Sequence, residues 1–378
     1  PGLASWANDD FEKPRIDNAS KASVGALIML GAMLHSKIKI RVILHRRLVR
    51  QAVDKDDHED FIKEVVVTGG PVPLAMVRKR AAGVAVMRAQ VLLVHGFGQN
   101  RHAWHLPSRS FANYLARRGF DVFNLDLRGH GRSRQLSRSR ARDVREYVEE
   151  DLPSALAEIA KNTENKPVFL IGHSLGGLVG YAAAPALRSR IAGLVTLGSP
   201  YHFARGSFEL QGVAIAVKAL RAARIRSVGA PVAMRAIASA MRTFRVMTDG
   251  PLPMPLRGWR PSAIEPHVLD EHLRLAFDYA GIDEMLAMFD WANAKRFGGE
   301  REEYVERFES LDIPLLVIAG DDDELAPPAS VRPAFVRSAS LDKTFRSLPF
   351  GHVDMLIGRD APRHMWPLVE RWLLERTA

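Results

Sequence analysis

An α/β fold, with a mostly parallel central sheet flanked by helices and a helical cap inserted into it, is predicted by three observations on the 378-residue sequence. Short apolar runs alternate with helical stretches, the alternation breaks once between Tyr201 and Pro314, and a glycine-bounded serine stands directly after one of the apolar runs. Runs this short, separated by helices, read as strands buried on both faces of a parallel sheet.

Residues 1–58 form a leader whose shape the sequence leaves open. Val24–Leu34 has helical apolar spacing, whereas Lys37-Ile38-Lys39-Ile40-Arg41-Val42 alternates like a strand. Ala22–Ser36 is uncharged but short and lacks a basic lead-in, so it reads as neither a secretory signal nor a membrane span. From Lys63 onward, Glu64–Thr68 and Leu74–Arg78 flank Gly69-Gly70-Pro71-Val72 and predict a hairpin. Buried strands follow at Val91–Val94, Val122–Leu127, Val168–Ile171, Leu194–Leu197 and Leu315–Ile318, with a further strand at Thr344–Phe350 and a helix at Ala361–Arg376. The core is therefore expected over 59–203 and 306–378.

Residues 204–305 carry no comparable strand run. They are helical, rich in arginine, interrupted by Gly250-Pro251-Leu252-Pro253-Met254-Pro255, and hold six of the 12 methionines, namely Met234, Met241, Met247, Met254, Met285 and Met288. Their place in the chain predicts a cap over the carboxyl edge of the sheet, where open α/β sheets bind ligands. The methionines fit either an adaptable apolar ligand pocket or the cap's own core.

Composition narrows the class further. With 47% hydrophobic and 25% charged residues the chain is globular, and with no cysteine it has no disulfide, no thiolate metal site and no cysteine nucleophile. The formal charge of +10 is concentrated: Gly212–Met247 contains no acid but carries Lys218, Arg221, Arg224, Arg226, Arg235, Arg242 and Arg245, and Lys37, Lys39, Arg41, Arg46, Arg47 and Arg50 form a second acid-free stretch. Both fit peripheral contact with an anionic membrane, at its inner face in a cytoplasmic setting, and equally fit solvated helix surfaces. Neither has aromatics interleaved for base stacking, so no nucleic-acid partner is expected.

Gly172-His173-Ser174-Leu175-Gly176 satisfies the G-x-S-x-G pattern, with an apolar strand before it and a small-residue helix after it. A sharp turn in that context exposes a serine hydroxyl and aims the first helical N–H groups at an anionic intermediate. The earlier Val94-His95-Gly96-Phe97-Gly98 also follows a strand, which assigns the Phe97 and Leu175 N–H groups as oxyanion donors. His95 and His173 are expected to hold their loops rather than to transfer protons. Asp321, Asp322, Asp323 and Glu324 follow the Leu315–Gly320 strand, and one of them can orient a histidine. His352 follows Thr344–Phe350, so serine, acid and histidine occur in the order used by strand-turn-helix serine hydrolases.

These segments resemble the α/β-hydrolase superfamily, specifically its lipase-like and esterase-like serine hydrolases, over about 88–203 and 312–378. Leu125-Asp126-Leu127-Arg128-Gly129-His130-Gly131-Arg132-Ser133 is similar to the loop after the family's fourth strand, which implies a structural role for His130. Gly320-Asp321-Asp322-Asp323-Glu324-Leu325-Ala326-Pro327 resembles the family's acid loop, whose register implies Asp323. Gly351-His352-Val353-Asp354-Met355-Leu356-Ile357-Gly358 resembles the histidine loop of bacterial lipase-like members and of polyester synthases, although those synthases use a cysteine nucleophile. Related epoxide hydrolases and haloalkane dehalogenases use aspartate where Ser174 stands.

The chemistry implied is hydrolysis of carboxylic esters with an apolar acyl group, with Ser174 as nucleophile, His352 as base and Asp323 as orienting acid. No metal or organic cofactor is needed for it, and no His-x-x-x-His spacing points to zinc. The partner expected is a small-molecule or lipid ester. An acyltransferase or thioesterase would use the same triad, and a scaffold protein could keep the fold without the chemistry.

Overall fold

A computed structural model describes residues 43–52, 58–84, 86–163, 166–202, 205–212, 215, 219, 231–232, 234–243, 258–278, 280–281, 284–285, 287–288 and 302–377. The leader up to residue 42, the basic residues Lys218, Arg221, Arg224, Arg226 and Arg245, the Gly250–Pro255 run, Met247 and Met254 lie outside the described residues.

Strands β1 (Ile43–Ala52), β2 (His58–Val67), β3 (Ala75–Ala81), β4 (Gln90–Val94), β5 (Asp121–Asp126), β6 (Val168–His173), β7 (Ile191–Leu197), β10 (Leu315–Gly320) and β11 (Lys343–Leu348) form one nine-stranded sheet in the order β1-β2-β3-β5-β4-β6-β7-β10-β11. The six strands from β5 to β11 in that order are mutually parallel, and β3, β2 and β1 extend the sheet beyond β5 through successive antiparallel pairings. Two two-residue strands, β8 (Pro231–Val232) and β9 (Ala280–Gly281), pair with each other elsewhere.

The central parallel strands β4, β6, β7 and β10 are predominantly apolar because both of their faces are covered. Leu92, Val94, Phe123, Leu125, Leu170, Leu315 and Val317 enter one core layer. Their alternates Val91, Leu93, Val122, Phe169, Ile171, Leu316 and Ile318 enter the other, as a period of two requires. Helices α1 (Phe111–Arg117), α2 (Leu152–Asn162), α3 (Leu175–Ala183), α4 (Met234–Thr243), α5 (Pro266–Leu275), α6 (Glu302–Glu309), α7 (Pro328–Arg337) and α8 (Ala361–Leu374) supply the covering side chains. The crossovers β4-α1-β5, β5-α2-β6, β6-α3-β7 and β10-α7-β11 generate the parallel order.

An ionic tie joins the antiparallel hairpin to the parallel body. Arg78 on β3 donates to both carboxylate oxygens of Asp121 on β5, at 2.8 and 2.6 Å, and to Glu64 on β2 at 3.2 Å. All three side chains are buried, so this pairing is what makes their burial tolerable. The hairpin turn closes through Thr68 N–H to Leu74 O and Leu74 N–H to Thr68 Oγ1, each 2.9 Å.

Two elements depart from the sequence expectation. β1 lies inside the stretch read as a leader, where the alternation pointed to 37–42 instead; its Ile-Leu-His-Arg-Arg-Leu-Val-Arg-Gln-Ala sequence lacks an apolar period, and its pairing with β2 makes it a strand. The ladder of β8 and β9 falls in the segment read as strand-free, and two residues per strand leave no periodic signal. Within that segment α4 and α5 pack together, with Arg242 donating to Asp270 at 2.8 Å, while Val268, Leu269 and Leu273 of α5 are buried in the second core layer.

α8 closes that layer. Trp372 stands edge-on to Phe169 with ring centroids 6.0 Å apart, a Cβ at Gly193 would lie 2.8 Å from its Cη2, and Arg376 covers its ring at 4.2 Å. Trp372→Ala should therefore open a cavity between α8 and β6 and lower stability by about 3–5 kcal/mol, read as a shift in the urea midpoint with an unchanged slope. An unchanged midpoint would show that α8 is not needed to seal the sheet.

Candidate active site

The carboxyl ends of β4, β6, β7, β10 and β11 converge on one polar cluster. Ser174 occupies the single residue between β6 and α3, at φ 52° and ψ −120°. A side chain held at positive φ costs on the order of 1–3 kcal/mol. Its surroundings enforce the conformation: Ser174 N–H donates to Leu197 O at 3.0 Å, and Ser174 O accepts from the N–H groups of Gly177 and Leu178 at 3.1 Å each. The turn is also too crowded for side chains. A Cβ at Gly176 would overlap the carbonyl oxygens of Val94 and His95, and one at Gly177 would overlap the Ser199 side chain.

Asp323 and His352 are in direct contact. His352 Nδ1 lies 2.8 Å from Asp323 Oδ2, and both residues are buried. Asp323 Oδ1 accepts from the Leu325 and Ala326 N–H groups at 2.9 and 2.8 Å, so both carboxylate oxygens are occupied and their direction is fixed. A carboxylate can only accept, so Nδ1 carries the proton and leaves Nε2 with its lone pair. Asp321 instead meets Ser347, and Asp322 is exposed and faces Arg260 at 3.6 Å. Of the three adjacent aspartates, Asp323 is the one brought to His352.

Ser174 joins this pair through its neighbours. His173 Nε2 donates to His352 O at 3.0 Å, and the two rings lie 4.6 Å apart. A Cβ at Gly198, beside Leu197, would stand 2.9 Å from Asp323 Oδ2 and 3.2 Å from His352 Nδ1, so the end of β7 approaches the pair as closely as glycine permits. The loop after β4 comes equally close, since a Cβ at Gly96 would lie 3.1 Å from Ser174 Cβ. Phe97 follows in that loop, half-buried against the core, and Leu175 is the first residue of α3. The N–H of a first helical residue has no partner within its own helix.

The remaining histidines are structural in geometry. His95 Nδ1 donates to Gly96 O at 2.9 Å and its Nε2 accepts from Leu127 N–H at 3.2 Å, which ties the β4 loop to the end of β5. Burial, then His130, hold its pKa down at about 4. His130 is buried beside Tyr147 and Glu284; burial opposes its protonation, but the Glu284 contact outweighs this and raises its pKa. Burial and the neighbouring His352 push His173 well below the ordinary histidine range.

Sequence reasoning missed the residues that hold the histidine loop. Asp354 accepts from Gly351 N–H at 3.0 Å and from Arg260 N–H and Nε at 3.3 and 3.1 Å, and Val353 N–H donates to Gly258 O at 2.7 Å. Asp354 stands two residues after the histidine, yet nothing local marks its partner, which lies in another part of the chain.

Comparison with known proteins agrees with the fold. A family model described as serine aminopeptidase, S33, matches residues 85–352. The monoacylglycerol lipase of Mycolicibacterium smegmatis is 26% identical over 262 residues, covering 69% of this chain and 80% of that protein. Among solved structures, Paleococcus ferrophilus monoacylglycerol lipase superposes with a TM-score of 0.56 at 21% identity, covering 80% of this chain and 99% of its own. A soluble variant of Saccharomyces cerevisiae monoglyceride lipase, solved with a substrate analog, gives 0.56 at 17% identity, covering 91% and 99%.

Buried neutral histidines make the fold acid-sensitive. His272 in α5 is fully buried, neither ring nitrogen has a hydrogen-bond partner among the described residues, and burial drives its pKa down to about 3. The unfolded chain takes up a proton near the ordinary value of 6.5 and the folded chain does not. Stability is therefore complete above that value and is lost as pH falls towards 3, by about 1.4 kcal/mol per pH unit for such a histidine. His272→Leu should flatten the fall in Tm between pH 6.5 and pH 4. A slope equal to the parent's would show that His272 is solvated in the folded protein.

Proposed function

Because the chain belongs to the serine aminopeptidase S33 family of hydrolases, within the α/β-hydrolase superfamily, we propose that its site works as a serine carboxylic-ester hydrolase with Ser174, His352 and Asp323 in the three catalytic roles. Relatives described as lipases and as an esterase support carboxylic-ester chemistry. The observation that carries the residue assignment is the buried His352–Asp323 pair at the mouth of a turn that strains Ser174 to positive φ.

His352 Nε2 takes the proton as Ser174 Oγ adds to the ester carbonyl, and Asp323 holds the ring in that tautomer and stabilises the imidazolium. The Phe97 and Leu175 N–H groups receive the oxyanion. Collapse of the tetrahedral intermediate passes the proton from His352 to the leaving alkoxide and leaves an acyl-Ser174. Water, deprotonated by the same imidazole, then releases the acid. An active-site-directed fluorophosphonate should label Ser174, and Ser174→Ala should abolish both labelling and ester hydrolysis. Stoichiometric labelling at another residue would overturn the nucleophile assignment. Asp323→Asn should reduce turnover by roughly a few powers of ten, with Asp321→Asn and Asp322→Asn close to the parent.

Residues 204–305 are read as a cap that supplies the acyl pocket. Support comes from the apolar character of its described part: Trp259, Ile264, Val268, Leu269 and Leu273 are buried in the second core layer, and Met241 packs against the same layer. Met288 is buried in the other layer, as a filler of the core would be. Each substrate CH₂ buried there contributes up to about 0.8 kcal/mol, so kcat/KM should rise with acyl length. For soluble esters from acetyl to dodecanoyl, a maximum at medium or long chains that moves in Met241→Trp supports the pocket. A steady fall from acetyl onward removes it.

A further inference from the structure

Phe97 has a glycine on each side, and Gly98 sits at φ 64°, so the loop that carries this N–H has little stiffness of its own. Its position is set from outside. Residues 275–278, at the end of α5 and beyond it, run alongside the loop and bond to it repeatedly. Asp278 N–H donates to Gly98 O at 2.8 Å, Gln99 and Phe277 form an antiparallel bridge, and Asn100 N–H donates to Ala276 O at 3.0 Å. Asn100 Nδ2 adds a bond to Leu275 O at 2.9 Å. Three consecutive residues of the loop are thus stitched to one short stretch of the inserted segment.

The Asp278 side chain fixes that stretch. It is fully buried; Oδ2 accepts from Gly131 N–H at 2.7 Å and lies 3.4 Å from Asn100 Nδ2, while Oδ1 meets Arg134 Nη1 at 2.5 Å. Gly131 belongs to the loop after β5 and Arg134 to the helical turn Ser133–Leu136 that follows it, and this segment is anchored independently: Arg132 N–H donates to Asp126 at 2.8 Å. A carboxylate accepting from a backbone N–H and a guanidinium in a buried setting is a strong and directional restraint. The force line therefore runs from the segment after β5 through Asp278 to Gly98 O, two peptide units from the Phe97 N–H.

We propose that Asp278 is a positioning residue for the oxyanion site, holding the Gly96–Asn100 loop so that the Phe97 N–H faces the same point as the Leu175 N–H. This rests on the reading of Phe97 and Leu175 as oxyanion donors. Asp278 touches no reacting atom and acts through the Gly98 carbonyl.

Three variants of the full chain test it: Asp278→Ala, Asp278→Asn and Asp270→Ala, the last removing the Arg242 ion pair between α4 and α5 without touching the loop. The readouts are kcat and KM for p-nitrophenyl acetate, the inhibition constant of a trifluoromethyl ketone whose hemiketal oxyanion needs the same donors, and hydrogen exchange of the Gly98–Asn100 amides. Asp278→Ala should lower kcat by about tenfold to a hundredfold with KM within about twofold, weaken the ketone by a matching factor, and speed exchange in the loop. Asp278→Asn should recover part of each, because its carboxamide oxygen still accepts from Gly131, and Asp270→Ala should match the parent. Loop exchange unchanged in Asp278→Ala, or a lower kcat with ketone binding intact, overturns the proposal. If Asp278→Ala does not fold, Asp278→Asn carries the same readouts, and parent-like exchange and ketone binding in it overturn the proposal. Failure of the ester-hydrolase reading looks different, since the parent itself would then neither turn over the ester nor bind the ketone. The exchange contrast still decides in that case whether Asp278 holds the loop.

Discussion

The site depends on one steric constraint, the close approach of backbone around Ser174. A residue at φ 52° persists only where its surroundings leave no relaxed alternative, and here backbone carbonyls and the Ser199 side chain crowd the turn. Val94 O and His95 O press on Gly176, Gly177 packs on Ser199, and Leu197 O takes the Ser174 N–H. Because the strand ends meet without intervening side chains, the β4 loop and the end of β7 reach the serine from opposite sides. Gly96 lies against Ser174, and Gly198 lies against Asp323 and His352. The geometry of the proposed site is then a by-product of packing: any added Cβ moves a strand end and, with it, one of the groups assigned a catalytic role.

Electrostatics divides the acids into two kinds. Asp126 is buried and accepts from Arg101 N–H and Arg132 N–H at 2.8 Å each, with Arg101 Nη1 at 2.9 Å. Burial works against its ionisation, but Arg101 and these backbone donors hold its pKa down to about 2, so it is a permanent anchor for the loops after β4 and β5. Asp323 has no cation in hydrogen-bond contact among the described residues; its partners are two backbone N–H groups and His352. Pairing it with an arginine would bind the charge that an imidazolium on His352 needs. The uncharged histidines around it act in the same direction, since His95 and His173 add no positive charge that would oppose that imidazolium.

The parallel core and the places of Ser174 and His352 were legible in the sequence because their requirements are local. A strand buried on both faces must be continuously apolar, and a serine in a tight strand-to-helix turn must have glycines within a few residues. The acid was only narrowed to a strand end by the residues themselves, since Asp321, Asp322, Asp323 and Glu324 share it; resemblance to the superfamily picked Asp323, and the side-chain directions agree. Asp278, Asp354 and Gly198 were invisible for the opposite reason. Each acts on a partner far away in the chain, such as Gly131 for Asp278 or Arg260 for Asp354, and no spacing rule reaches that far. β1 was not expected because its sequence carries no apolar period to signal it.

The described part of the insertion grips the site at two places, which bears on how it can shape specificity. Gly258 and Arg260 hold the histidine loop through Val353 and Asp354, and residues 275–278 hold the β4 loop through Gly98 and Asn100. Between these grips lies α5, whose Glu265 receives Arg109 at 2.7 and 2.8 Å and whose inner face is buried. Two fixed ends and a buried face leave this stretch little freedom to move independently of the catalytic loops. Variation that tunes a ligand without disturbing those loops must then fall in parts of 204–305 that make neither grip. Substitutions at Gly258, at Arg260 or within 275–278 would instead reach the proposed base or the proposed oxyanion loop, because these residues make the grips themselves.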